Sequence, residues 1–200
     1  MAYRGRMSLW CNYRTLLACL LLVAFASAAA SQDTTPDQTQ ARPEFAPRGQ
    51  REAKDITYGE WRKLCFAPGG AKTVCRTSIT GSFPTGQMAV RVDLIEREGD
   101  PAARLQLFVP VGMFLQHPVE LTVDQGTALQ VPYTWCVTNV CIAADVADPK
   151  FIADMESGKM LVLEVVDSNL LSLTTSMPLA QFATVHRGAP ARTVQQDIDE

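Results

Sequence analysis

Met88-Ala89-Val90-Arg91-Val92-Asp93-Leu94 alternates apolar and polar side chains residue by residue. A period of two sends one set of side chains inward and the other outward, as in a half-buried antiparallel strand. Arg104-Leu105-Gln106-Leu107-Phe108-Val109 repeats the pattern, as does Val119-Glu120-Leu121-Thr122-Val123, after which Asp124-Gln125-Gly126 turns the chain. Further strands are predicted over 128–133, 134–137 and 140–143, and over 160–166 and 170–175, joined at Asp167-Ser168-Asn169. Only residues 149–157 read as a helix of any length, with Asp148 as N-cap, Pro149 in the first position and Gly158 closing it. A second short helix fits 178–185. Many short strands separated by turn residues predict an all-β domain. Faces this apolar need another sheet to cover them, so the expected architecture is an antiparallel two-sheet β-sandwich with one or two short helices.

Four cysteines fall within this strand-rich region: Cys65, Cys75, Cys136 and Cys141. Between Cys65 and Cys75 the residues Pro68, Gly69 and Gly70 mark a turn. A hairpin symmetric about Gly70 sets the two cysteines opposite each other. A turn at Thr138-Asn139 likewise sets Val137 opposite Val140 and Cys136 opposite Cys141. Facing residues in a non-hydrogen-bonded antiparallel pair have Cα atoms about 4.5 Å apart, near the lower end of the range a disulfide accepts. Two local disulfides are therefore expected, although four cysteines also permit crossed pairing. A zinc site is the competing use, but paired zinc ligands usually have two to four residues between them. Cys65 and Cys75 are too widely spaced for that, and there is no C-x-x-C redox motif.

The ends of the chain have a different character. Arg4, Arg6 and Arg14 precede an apolar run from Leu16 to Ala26, and small residues at 26–30 offer cleavage sites. This is the layout of a secretory signal peptide over 1–30, too short in its apolar part to span a bilayer. Most of the apolar run follows Cys19, the wrong order for a lipidation box at Leu16-Leu17-Ala18-Cys19. Cleavage removes Cys11 and Cys19, and an exported chain reaches an oxidising compartment where the remaining thiols pair. Residues 31–55 are rich in Gln, Thr, Pro, Asp and Arg, and residues 187–200 are similar. Both are expected to be disordered, because neither buries enough apolar surface to offset its ordering entropy. One folded domain is expected over 56–186.

The chain of 200 residues has 18 basic and 21 acidic side chains, a formal net charge of −3. Loss of the three leader arginines makes the mature chain more acidic still. An acidic chain with dispersed basic residues argues against nucleic acid or an anionic membrane surface as partner. Contact with the membrane is expected only through the cleaved leader.

No catalytic constellation is visible. His117 precedes Pro118 in a loop and His186 opens the polar tail, so both read as solvent-facing. No G-x-S-x-G nucleophile turn and no phosphate-cradling glycine loop occurs. Glu96, Glu98 and Asp100 form a carboxylate cluster beside Gly99 and Pro101, which reads as a solvated hairpin tip. Trp61 and Trp135 read as core or rim aromatics. The apolar run from Val109 to Leu115 reads as a buried crossover between sheets, or else as an exposed contact surface. No cofactor and no metal is expected.

Taken in order, Tyr58-Gly59-Glu60-Trp61, Cys65, Cys75, Val109-Pro110-Val111-Gly112, Leu121-Thr122-Val123-Asp124 and the Cys136/Cys141 pair resemble the invasion-associated locus B family. The resemblance covers about 56–185. Two positions depart from the family pattern: Val140 stands where a glycine precedes the last cysteine, and Ser176-Met177-Pro178 replaces a glycine-bearing turn before Phe182. The resemblance implies an immunoglobulin-like β-sandwich in an exported alphaproteobacterial protein of the periplasm or envelope, linked to host-cell invasion. It implies no catalytic residue, and an envelope or host protein as partner. Two other roles fit the sequence: a structural or stress-related envelope protein without a discrete ligand, and a secreted hydrolase.

Overall fold

The computed structural model describes residues 46–196. The leader read over 1–30 and residues 31–45 of the linker lie outside the described residues, as do residues 197–200. In order, the elements are β1 (Gly49–Glu52), β2 (Thr57–Tyr58), β3 (Arg62–Pro68), β4 (Val74–Ser82), β5 (Met88–Arg97), β6 (Ala103–Pro110), β7 (Val119–Val123), β8 (Leu129–Val131), β9 (Tyr133–Val137) and β10 (Val140–Ala147). Then follow α1 (Pro149–Ser157), β11 (Met160–Val166), β12 (Leu171–Pro178), α2 (Phe182–Arg187) and β13 (Arg192–Gln196).

The strands form two sheets. One has the order β1-β12-β11-β7-β8, the other β13-β3-β4-β5-β6-β10-β9, with β2 added alongside β4. Alternation decides which side chains meet between them. From the larger sheet come Ile79, Val92, Leu94, Leu105, Leu107 and Val109; from the smaller come Val119, Leu121, Leu161, Leu163 and Met177. These join one continuous core, so the expected sandwich is the observed fold. At 25 cal/mol per Å², burying a Leu or Val side chain contributes roughly 1.5–3 kcal/mol. The interdigitated strand residues are therefore the main source of stability.

Helix α1 forms as its sequence predicts. Asp148 caps it by accepting a hydrogen bond from the Lys150 backbone N–H at 2.8 Å, and Pro149 occupies the first turn. Phe151 and Met155, four residues apart, point to one side and are buried. Gly158 ends the helix in an extended conformation, not a left-handed one. Its lack of a side chain matters for space: a Cβ there would collide with Val123 Cγ1 and the Asp154 carbonyl oxygen.

Several expectations need correction. The segment 31–55 was expected to be disordered, yet its described part contains β1. The 187–200 tail was expected to be disordered, yet it contains β13. Both strands are largely polar, Val194 being the one apolar residue of β13, and all four residues of β1 are exposed. They are held through the backbone. β1 pairs in parallel with β12, and bonds from Arg48 N–H to the Leu170 carbonyl (2.7 Å) and from Ala53 N–H to the Thr174 carbonyl (2.8 Å) extend the ladder. β13 pairs in parallel with β3. A composition argument weighs apolar burial alone and misses order gained by completing a sheet edge, which also shields that edge from other chains. These two pairings also make the sandwich mixed, where an antiparallel one was expected. The strand expected over 128–133 ends at Val131, and β9 starts at Tyr133, because Pro132 interrupts the ladder between them. The Val109–Leu115 run does cross between the sheets but is only partly buried: Val109 is buried and Met113 packs against the core, whereas Val111 and Leu115 are exposed. Gly112, with φ at +94°, turns the chain outward in between.

Candidate functional site

Both cysteine pairs close their own hairpins. Cys65 faces Cys75 across β3 and β4, and Cys136 faces Cys141 across β9 and β10, each with Cα atoms 4.0 Å apart. The turn symmetry places them there. Gly70 supplies a positive φ of +71° at the first tip, and Val137 pairs with Val140 at the second.

At the end of the sandwich next to the first disulfide, the helices bring polar side chains together. Phe182 starts α2 fully buried, edge-on to the Trp61 ring at 4.8 Å between centroids. Trp61 is itself fixed by its indole N–H, which donates to the Pro178 carbonyl at 2.8 Å. One helical turn after Phe182, His186 stacks on the phenyl ring with centroids 5.3 Å apart. Its side chain is only 12% exposed, which corrects the expectation of a solvent-facing histidine. The anchoring of Phe182 explains this, because it draws the last turn of α2 down onto the sheet and onto α1.

His186 then lies between two carboxylates. Its Nδ1 is 2.9 Å from Glu156 Oε1 on α1, and its Nε2 is 3.1 Å from Glu96 Oε1 at the end of β5. Arg187 donates to both oxygens of Glu156. This guanidinium, followed by the His186 contact, holds the Glu156 carboxyl well below its usual value, at about 2. Lys63 Nζ donates to the His186 carbonyl at 2.6 Å, supporting a carbonyl that α2 leaves unpaired at its end. A neighbouring cleft of about 570 Å³ is lined by Lys63, Cys75, Glu96, Glu98, Asp100 and Ile152.

Of the residues singled out from sequence, the structure gathers Cys65, Cys75, Glu96 and His186 at this end. Glu98 and Asp100 sit at the exposed tip, where Glu98 Oε2 accepts from the Thr73 N–H and Asp100 Oδ1 from the Ala102 N–H. His117 is elsewhere, with Nδ1 3.0 Å from the Pro118 carbonyl oxygen. Among the described residues, neither histidine hydrogen-bonds a hydroxyl or a thiol, the pairing that activates a nucleophile. Among the described residues no group of His, Cys, Asp and Glu is placed to hold a metal ion, and no helix is long and apolar enough to cross a membrane. The arrangement ties α1 and α2 to the large sheet. Trp61 is core and Trp135 is rim, 56% exposed on the outer side of β9.

A buried charged side chain lies outside the candidates that the sequence offers. Asp93 points away from the core yet is fully buried, covered by Arg91 and Arg76 on the outer face of the large sheet. Arg91 grips both of its oxygens and lies 4.4 Å above the Phe108 ring. The Arg91-x-Asp93 spacing, which sets opposite charges side by side on one strand face, was the available signal.

The family model described as invasion associated locus B protein matches residues 61–190, from Trp61 to just beyond α2. The chain belongs to the invasion associated locus B family. Its match starts at the tryptophan of the core and takes in both disulfides, both helices and the His186 cluster. Among solved structures, the invasion associated protein b of Bartonella henselae is similar at 26% identity, with a TM-score of 0.57. That similarity covers 65% of this chain and 90% of the Bartonella chain. The two-sheet architecture is thus shared with a locus B protein seen in a crystal. No curated protein matches the chain in sequence.

Proposed function

We propose that this chain is an exported protein of the bacterial periplasm or envelope that works through contact with a partner and not by catalysis. The pair of hairpin-closing disulfides in a family-type sandwich carries the reading. Thiols spaced this way stay paired in an oxidising compartment and are kept reduced in the cytosol. The leader-like sequence at 1–30 supports export independently. Against catalysis stands the engagement of both His186 nitrogens by carboxylates. The name of the Bartonella protein supports a link to invasion of host cells.

Fractionation of the source cells followed by crosslinking tests this reading. Recovery of the processed chain outside the cytoplasm, joined to one reproducible partner, is the expected result. A cytoplasmic chain that keeps its leader would contradict export. Turnover in a broad hydrolase screen, lost in His186→Ala, would contradict the non-enzymatic role. Comparing a deletion strain for host-cell invasion and for detergent sensitivity separates an invasion role from one in envelope integrity.

A further inference from the structure

The charge of this chain is sorted by face. Strand register places Arg104, Ile95, Arg76, Leu64 and Arg192 in one row across β6, β5, β4, β3 and β13, on the side of the large sheet facing away from the core. At about 4.8 Å between strands, the three arginines repeat roughly every 10 Å. The adjoining row holds Arg62, Ser78, Asp93 and Gln106, and Arg91 lies one row further on. Asp93 is the single carboxylate within these rows, and it is buried beneath Arg91 and Arg76. Arg62, Arg104 and Arg192 are exposed and form no ion pair with a described residue. Arg76 keeps a buried Nε without a hydrogen-bond partner, 3.8 Å from Asp93. Exposed apolar groups flank the arginines on the same face: Trp135 beside Ile142 of β10, Phe66 on β3 and Val146 beside Arg104.

The opposite outer face carries the other sign. Glu120, Glu164 and Glu52 fall in one row with Gln130 and Thr174 across the five-stranded sheet. A chain with a net charge of −3 thus presents a cationic side and an anionic side. A total charge count hides this sorting. The field of such a molecule turns its arginine face toward an approaching polyanion.

We propose that the outer face of the β13-β3-β4-β5-β6 sheet binds an acidic glycan, a carboxylate- or sulfate-bearing saccharide chain laid across the strands. Guanidinium groups pair with such oxyanions through two parallel hydrogen bonds, and these arginines have donors to spare. The flat faces of sugar rings suit the aliphatic residues between the arginines and the indole of Trp135. Nucleic acid offers similar chemistry, and the choice of a glycan over it rests on the export reading above. The anion-binding face itself does not depend on that reading. A second copy of the chain, docked through its glutamate face, is the competing occupant, and the test below separates it from a glycan.

Fluorescence anisotropy with a labelled heparin-derived oligosaccharide, using the full mature chain, tests the proposal. Binding is expected, and raising salt from 50 to 200 mM should weaken it roughly tenfold or more, as release of counterions from about three contacts requires. Arg104→Glu with Arg192→Glu should weaken it at least tenfold, since neither side chain supports the fold through an ion pair. Arg51→Glu with Lys159→Glu, away from this face, should leave it within twofold. Absence of binding, or equal binding by the two double variants, overturns the proposal. So does tighter binding of a single-stranded oligonucleotide or of phosphatidylglycerol vesicles, or self-association that replaces glycan binding. These outcomes are independent of cell fractionation, so failure of the export reading and failure of the glycan face are told apart.

Discussion

Tyr133 brings a hydroxyl into the edge of the core and finds no described hydrogen-bond partner there; burial also pushes its ionisation well above the usual phenol range. A buried polar group left unpaired costs about 1–3 kcal/mol. Tyr133→Phe should therefore stabilise the protein by about 1 kcal/mol in urea unfolding, since it removes the orphan and keeps the ring. Glu156 makes the opposite case. Its carboxyl lies at about 2 against an ordinary 4.5, lowered first by the Arg187 hydrogen bonds. A depressed carboxylate contributes its stability in full above its ordinary value and loses it as pH falls toward the folded one. Melting temperature should thus decline between about pH 5 and pH 2, and Glu156→Gln should flatten that part of the profile. Little of this is readable from sequence. Glu156 and His186 are 30 residues apart, and only the burial of Phe182 under Trp61 brings them together. Tyr133 sits where alternation is broken by the bulge between Ile142 and Ala143.

The two disulfided hairpins and α1 are the elements that sequence describes best, because each is specified locally. Turn residues midway between two cysteines set the register, and Asp148-Pro149 with Gly158 bracket a helix. Closing loops of this length should stabilise each hairpin by about 2–3 kcal/mol through the unfolded state. Cys136→Ala with Cys141→Ala is expected to lower stability by about 2 kcal/mol and leave far-ultraviolet circular dichroism unchanged. Loss of the β-sheet signal would mean that the bond creates the hairpin and does not merely hold it. The edge strands β1 and β13 are illegible for the converse reason. Their residues are mostly polar with no apolar alternation, and their partners β12 and β3 lie more than a hundred residues away in sequence.

For the molecule as a whole, period-two alternation in β5, β6 and β7 was enough to reveal a two-sheet sandwich, since those strands supply the facing halves of one core. The same alternation does not reveal which outward residues become neighbours. The arginine row spans five strands, and only their register assembles it. Charge counted along the chain describes an acidic protein, whereas charge counted by face describes a polarised one. Family membership and the stapled hairpins are what support the proposed role as an exported protein that acts through a partner. Non-reducing peptide mass mapping of the chain recovered from the periplasmic fraction tests that claim most directly. The expected result is a chain that starts near Ser31, with Cys65 linked to Cys75 and Cys136 to Cys141. A cytoplasmic chain that begins at the intact leader and carries four free thiols would contradict it.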